Sequence, residues 1–353
     1  MLRSAFVVAF FLALVASPAH AEVAWRPLTL EAALEQARAQ KTHVLVDVWA
    51  TWCGPCQQLD REVFVRPEVG QATRDLVAVR IDADQPAGKA LVERYHVVGF
   101  PTLLLLDAQG AEVDRIMGFL EAPDLVKALA DLRSGKGTLA ALEAELLKTP
   151  DDVVKLADVA RRNAIRGNLE RAQSQTDRVL ALDPKGALGE APRTLFELAT
   201  SGYLRLGTDV ARARALLEDL VKRFPDAPVV GRVPMAMARV AVKQGEPLLA
   251  RQRLDALLAK PDPKADVANS VAWFCFREGF ERAWGIEVAR AGLKRAPNNA
   301  GLWDTLAELL HATGDTQGAL EAETTAAKLD PKDPYFPIQI RRFQDALAAS
   351  GKR

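Results

Sequence analysis

The chain has 353 residues, enough for two domains, with 46 basic residues against 46 acidic ones and only three cysteines. Balanced charge leaves no global field to hold nucleic acid or an anionic membrane, and so few cysteines exclude a disulfide-stapled scaffold. A pair with one thiol left over implies a single working couple.

Residues 1–21 read as an export signal. Met1-Leu2-Arg3 is a short basic start, Ala5 to Ala16 an apolar run, and Ala19-His20-Ala21 a small-x-small cleavage site. The apolar run is shorter than the roughly 20 residues that span a bilayer. Cleavage predicts a soluble protein, periplasmic or secreted, in an oxidising space. Thr29 is placed to cap a helix from Leu30 to Lys41. Val44 to Trp49 is a β-branched run typical of a central strand. It leads through Ala50, Thr51 and Trp52 into Cys53-Gly54-Pro55-Cys56, where Pro55 suits the first turn of a helix running to about Val65.

Further along, the pattern predicts a helix from Pro67 to Leu76, a strand from Val77 to Ile81 and a helix from Gly88 to Tyr95. A hairpin follows, Thr102 to Leu106 with Glu112 to Ile116, turning at Asp107–Gly110, and then a helix from Pro123 to Leu132. Such an alternation argues for a mixed sheet with flanking helices over residues 22–133. Ser134-Gly135-Lys136-Gly137 reads as a linker at 134–137, and residues 138–353 carry no strand pattern.

In that second part Pro184 follows Pro150 by 34 residues, and Pro331 follows Pro297 by 34. Pro225, Pro261 and Pro297 are spaced by 36, while Pro184 to Pro225 is 41, which implies an insertion. A proline closing each unit of about 34 residues is the mark of stacked helical hairpins. The unit holding Trp303, Leu306, Ala307, Leu310, Gly314, Ala319, Ala326 and Pro331 resembles the tetratricopeptide family, and Ala160, Gly167 and Ala172 repeat part of its pattern. A helix from Ile338 to Ala349 is expected to cap the array.

Two cysteines three apart at a helix start can close a disulfide, and the helix end favours a thiolate. Cys53, at the exposed end, is the expected nucleophile, and Cys56, one turn inside, the resolving thiol. A structural disulfide or half a zinc site are the other readings, and zinc lacks a second pair. Asp47, a carboxylate inside an apolar strand, is poised by burial to take the proton of Cys56; the other reading is a solvated strand end. Cys275 sits among apolar bulk and reads as an inert buried thiol. His43, His96 and His311 show no paired spacing, so no metal and no cofactor beyond the Cys53–Cys56 disulfide is expected.

The segment Val46-Asp47-Val48-Trp49-Ala50 with Trp52-Cys53-Gly54-Pro55-Cys56 resembles the active site of thioredoxins, over about residues 25–133. Asp60-Arg61-Glu62-Val63-Phe64 and Pro67-Glu68-Val69 are more similar to exported thiol:disulfide interchange domains, such as the C-terminal domain of the DsbD family. The resemblance implies that Pro101, in Gly99-Phe100-Pro101-Thr102, is a cis proline opposite the cysteines. It also implies that Trp52, Gly54, Pro55, Gly99 and Phe100 receive the substrate, with Trp52 a surface aromatic. The lysine that often accompanies the buried aspartate in that family is missing, since its position is Ala78.

The expected function is that of an exported protein-disulfide reductase. Thioredoxin's potential lies near −270 mV and that of the oxidant DsbA near −120 mV. A reducing couple in an oxidising space implies a membrane-bound reductant conductor as donor, with misoxidised or cytochrome-maturation thiols as clients. The alternatives are an oxidase or isomerase, or a scaffold or chaperone that binds proteins on its repeats and carries the redox domain as an accessory.

Overall fold

The computed structural model describes residues 22–262 and 264–350, so the expected export signal at 1–21 lies outside the described residues. The N-terminal sheet has the order β2-β1-β3-β4, built from β1 (Val44–Trp49), β2 (Val77–Asp82), β3 (Thr102–Leu106) and β4 (Glu112–Met117). β1 runs parallel to β2 and antiparallel to β3, and β3 runs antiparallel to β4. Alternation divides β1 between two helical layers. Val44, Val46 and Val48 pack with α1 (Leu30–Gln40) and α4 (Pro86–Arg94). Leu45 joins α3 (Pro67–Thr73), α5 (Ala122–Arg133) and the helix that follows the cysteines. Covered on both faces, these side chains are almost wholly removed from water, each contributing about 1.5–3 kcal/mol. Thr29 caps α1 through Ala32 N–H at 3.3 Å.

The helix after Cys53 is not one α-helix to Val65, as its sequence suggests. α2 (Gly54–Gln58) widens into a π-turn over Leu59–Val63, closed by Phe64 N–H on the Leu59 carbonyl at 2.8 Å. The turn puts Leu59 and Val63 in the core and leaves Asp60 half-buried beside Arg80.

Beyond Arg133 every described element is helical. α6 (Leu139–Leu146), capped by Thr138, leads into the hairpins. These are α7 (Val153–Ile165) with α8 (Leu169–Leu182), α9 (Glu190–Glu197) with α10 (Val210–Arg223), and α11 (Val233–Lys243) with α12 (Pro247–Leu258). Then come α13 (Asp266–Glu278) with α14 (Arg282–Arg295), α15 (Ala300–Ala312) with α16 (Thr316–Leu329), and α17 (Tyr335–Ser350), which caps the array. Pro184, Pro225, Pro261, Pro297 and Pro331 each follow the second helix of a pair. The interval of 41 residues is taken up where α9 continues as a seven-residue π-helical stretch, Leu198–Leu204. Leu306, Ala307, Leu310, Ala319 and Ala326 are all buried. Gly314 turns α15 into α16 at φ +96°, a conformation that glycine adopts without strain. Trp303 Nε1–H donates to the Pro297 carbonyl at 2.8 Å and so ties its hairpin to the preceding one.

The solenoid presses against the redox-like domain at two places. At one end Asp114 of β4, 1% exposed, pairs with Arg166, the residue that ends α7, and accepts from the Leu139 N–H at 2.7 Å. At the other, α13 and α17 lie over the Cys53 loop.

Candidate active site

Cys53 and Cys56 form a disulfide, with Cys53 as the N-cap residue of α2. The Cys56 N–H donates to Cys53 Sγ at 3.2 Å, so the helix end is directed at the sulfur expected to carry negative charge when reduced. Cys56 is 1% exposed. The peptide bond between Phe100 and Pro101 is cis, and Phe100 packs with the cysteines. Thr102 Oγ1 donates to the Gly99 carbonyl at 2.8 Å, which holds the loop before Pro101 in place.

Asp47, on the same face of β1 as Leu45, is 1% exposed. Burial pushes its carboxyl up to about 7, against the pull of Arg80 and with the help of Asp60. Arg80 Nε donates to Asp47 Oδ2 at 2.9 Å, and its Nη2 to Asp60 at 3.0 Å. The guanidinium stacks 4.5 Å from the Trp49 ring and 5.6 Å from that of Trp25. Asp47 Oδ1, buried and without a hydrogen-bond partner, is left to receive a proton. Sequence reasoning missed Arg80. It sought a cation at Ala78, whereas the parallel register sets Asp47 opposite Arg80. The available signal was an arginine breaking the apolar strand Val77-Ala78-Val79.

Two expectations about exposure are corrected. Cys53 is not at an exposed helix end, being only 4% accessible, and Trp52 is not a free surface aromatic. Cys53 is covered by Ala50, Cys56, Trp49, Trp52 and Phe100 of its own domain, and Trp52 by the repeat domain. Trp273 and Phe276 of α13 meet the Trp52 ring edge-on at 6.2 and 6.5 Å, and Arg277 stacks 3.8 Å from its centre. Trp52 Nε1–H is also fixed by Asp84 at 2.7 Å. The Thr51 carbonyl accepts from Gln57 at 2.6 Å and from Gln339 of α17 at 2.7 Å, one donor from each domain. Arg61 pairs with Asp333 at 3.4 Å. A cleft of about 750 Å³ remains beside Gly54 and Pro55, walled by Asp304 and Tyr335. The spacing of Trp273 and Phe276 on one helix face was the missed signal, hidden by attention to Cys275 between them.

Cys275 is fully buried, and burial pushes its thiol up to about 12, so it stays protonated and unreactive. His311, also partly buried, contacts the Phe343 ring at 5.1 Å, while His43 and His96 lie away from the disulfide cluster.

Residues 30–133 match the family described as Thioredoxin-like domain. Residues of this domain are 38% identical over 98 positions to the thiol:disulfide interchange protein DsbD of Cronobacter sakazakii, covering 27% of this chain and 17% of that protein. The chain thus spans about a sixth of the length of that relative. A thioredoxin from Thermus thermophilus is 28% identical in solution structure, covering 33% of this chain and 91% of that one, with a TM-score of 0.30. A tetratricopeptide repeat protein from Parabacteroides merdae is 12% identical, covering 79% of this chain and 91% of that one, with a TM-score of 0.42. Residues 30–133 are therefore a thioredoxin-like domain, and stacked helical hairpins follow it.

Proposed function

We propose that the protein reduces disulfides in other proteins through the Cys53–Cys56 couple, and that it does so after export, in the periplasm. The observation that carries this reading is a disulfide at a helix N-terminus with the buried carboxyl of Asp47, raised to about 7, on the strand behind it. In the reduced protein the Cys53 thiolate attacks a client disulfide. A bond forms between Cys53 Sγ and one client sulfur, the client S–S bond breaks, and the other client sulfur leaves as a thiolate and takes a proton. Cys56 then gives its proton to Asp47 and attacks Cys53 Sγ, releasing the second client sulfur. The client gains two electrons and Cys53–Cys56 is oxidised. No cofactor beyond the couple is required, but a thiol donor is, and a membrane-bound reductant conductor fits an oxidising space. Misoxidised or cytochrome-maturation thiols are the proposed clients.

The test has two parts. Cys56→Ser is expected to accumulate mixed disulfides on Cys53, and Cys53→Ser to abolish turnover. The reduction potential of the couple is expected at or below about −230 mV; a value above about −150 mV would make the protein an oxidant instead. A scaffold with an accessory redox domain would keep its function when both cysteines are replaced. The contact of α13 and α17 with the Cys53 loop favours a single working unit.

A further inference from the structure

The enclosure of Trp52 leaves a second opening, on the side of the cis proline. It is a cleft of about 700 Å³ between Val97–Val98 of the redox-like domain and helices α11 and α13 of the solenoid. Its charge is one-sided. Arg205, Arg239, Lys243 and Arg277 line it, against Glu93 and Glu278. Arg239 is neutralised by Glu278 at 2.7 Å. Among the described residues Arg205, Lys243 and Arg277 make no ion pair, and all three are open to solvent inside the cleft. Arg239 and Arg277 repel Arg205, and the attraction of Glu197 and Glu278 is weaker than that repulsion. Its guanidinium comes within 3.6 Å of the point where a side chain on Gly99 would begin, and Arg277 lies flat on Trp52. Arg205 and Arg277 therefore stand beside the two segments, Trp52 and Gly99-Phe100-Pro101, that border the disulfide, and Lys243 lines the same cleft. The opposite cleft, beside Gly54, is different: Glu62, Asp304, Asp330 and Asp333 line it against Arg61 and Lys332, and Arg61 is already paired.

We infer that the cleft on the cis-proline side is the docking surface for an acidic segment of the client polypeptide, adjacent in the client's sequence to the cysteine being reduced. Two or three client carboxylates replace the missing counter-charges of Arg205, Lys243 and Arg277. The forked guanidiniums take them bidentately, and fixed charges so close to the couple select the partner and set its approach. The proposal deepens the reductase reading and rests on it for the identity of the client.

The test separates the two. Fluorescence anisotropy would follow two labelled, cysteine-free peptides of equal length, one rich in glutamate and one in lysine, on the full chain. The glutamate peptide is expected to bind at least tenfold tighter at low salt, with the difference collapsing toward 1 M salt, where the Debye length is about 3 Å. Arg205→Glu with Lys243→Glu is expected to invert the preference. Both lie outside the disulfide machinery, so reduction of Cys53–Cys56 by dithiothreitol should keep its rate and report an intact fold. Equal binding of the two peptides, or a preference that survives the double reversal, would overturn the proposal. If the reversed variant does not fold, the salt slope of the unmodified protein decides, a flat slope counting against the cleft. A disulfide-containing glutamate substrate reports on the reductase reading alone: binding without turnover removes that reading and leaves the docking surface standing.

Discussion

At the scale of single residues the site depends on how one guanidinium is shared. Arg80 holds Asp47 and Asp60 together and is itself held between two indole rings. Arg80→Met removes that cation from a carboxylate that is almost wholly buried, and a loss of about 3 kcal/mol in urea unfolding is expected. Because Arg80 lowers the Asp47 pKa, its removal also moves the pH profile of the resolution step upward, measured as decay of the mixed disulfide. Asp47→Asn is expected to slow that step about 10²-fold, so that the mixed disulfide persists. Asp47 itself was legible in the sequence as a lone carboxylate in an apolar run. Its partner was not, because the register between β1 and β2 is decided by tertiary packing and nothing local records it.

Among the elements, packing of the last hairpins on α17 concentrates ionisable groups. Asp304, Glu308 and Glu323 are buried near Tyr335 and Arg342, and burial raises them to about 6, 7 and 9 respectively. Each carboxyl is held protonated by the folded state at a pH where the unfolded chain releases its proton. The stability these three groups contribute is therefore fullest near pH 4 and falls as pH climbs through these values. Urea midpoints are expected to be lower at pH 9 than at pH 5.5, and Glu323→Gln to shrink that difference. Helix contact sets a different limit at Gly285 of α14, where a Cβ would come within 2.7 Å of the Cys275 Cβ. Gly285→Leu should force α13 and α14 apart and cost about 1–3 kcal/mol, read as a lower melting temperature. The proline spacing made the hairpins readable, since each proline ends a second helix. The π-helical continuation of α9 escaped, because a π-helical stretch has the same residue preferences as the α-helix it extends.

For the whole molecule, the change from alternating strands and helices to helices alone was readable in the sequence pattern, but the docking of the two parts was not. Gln339, Asp333 and Trp273 each look ordinary in sequence, and only the curvature of the solenoid brings them to the Cys53 loop. The same holds for Asp114, which binds the first repeat helices to β4 through Arg166 and the Leu139 N–H. Asp114→Ala leaves the Arg166 guanidinium without that partner, and the two domains are then expected to unfold in separate steps, seen by calorimetry as two transitions in place of one. Trp273→Ala should speed reduction of Cys53–Cys56 by a small thiol severalfold, because it removes the aromatic that covers Trp52.

The hydrogen bond between Gln339 and Thr51 joins positions 288 residues apart. At about 5–20 residues per second a ribosome needs about 15–60 s to travel that distance, while domains fold N-terminal first. Each newborn molecule thus has a youth in which its disulfide loop is finished and its cover is not yet made. In that interval a thiol or oxidant at hand reaches the couple unscreened, whereas in the finished molecule it must approach past α13 and α17.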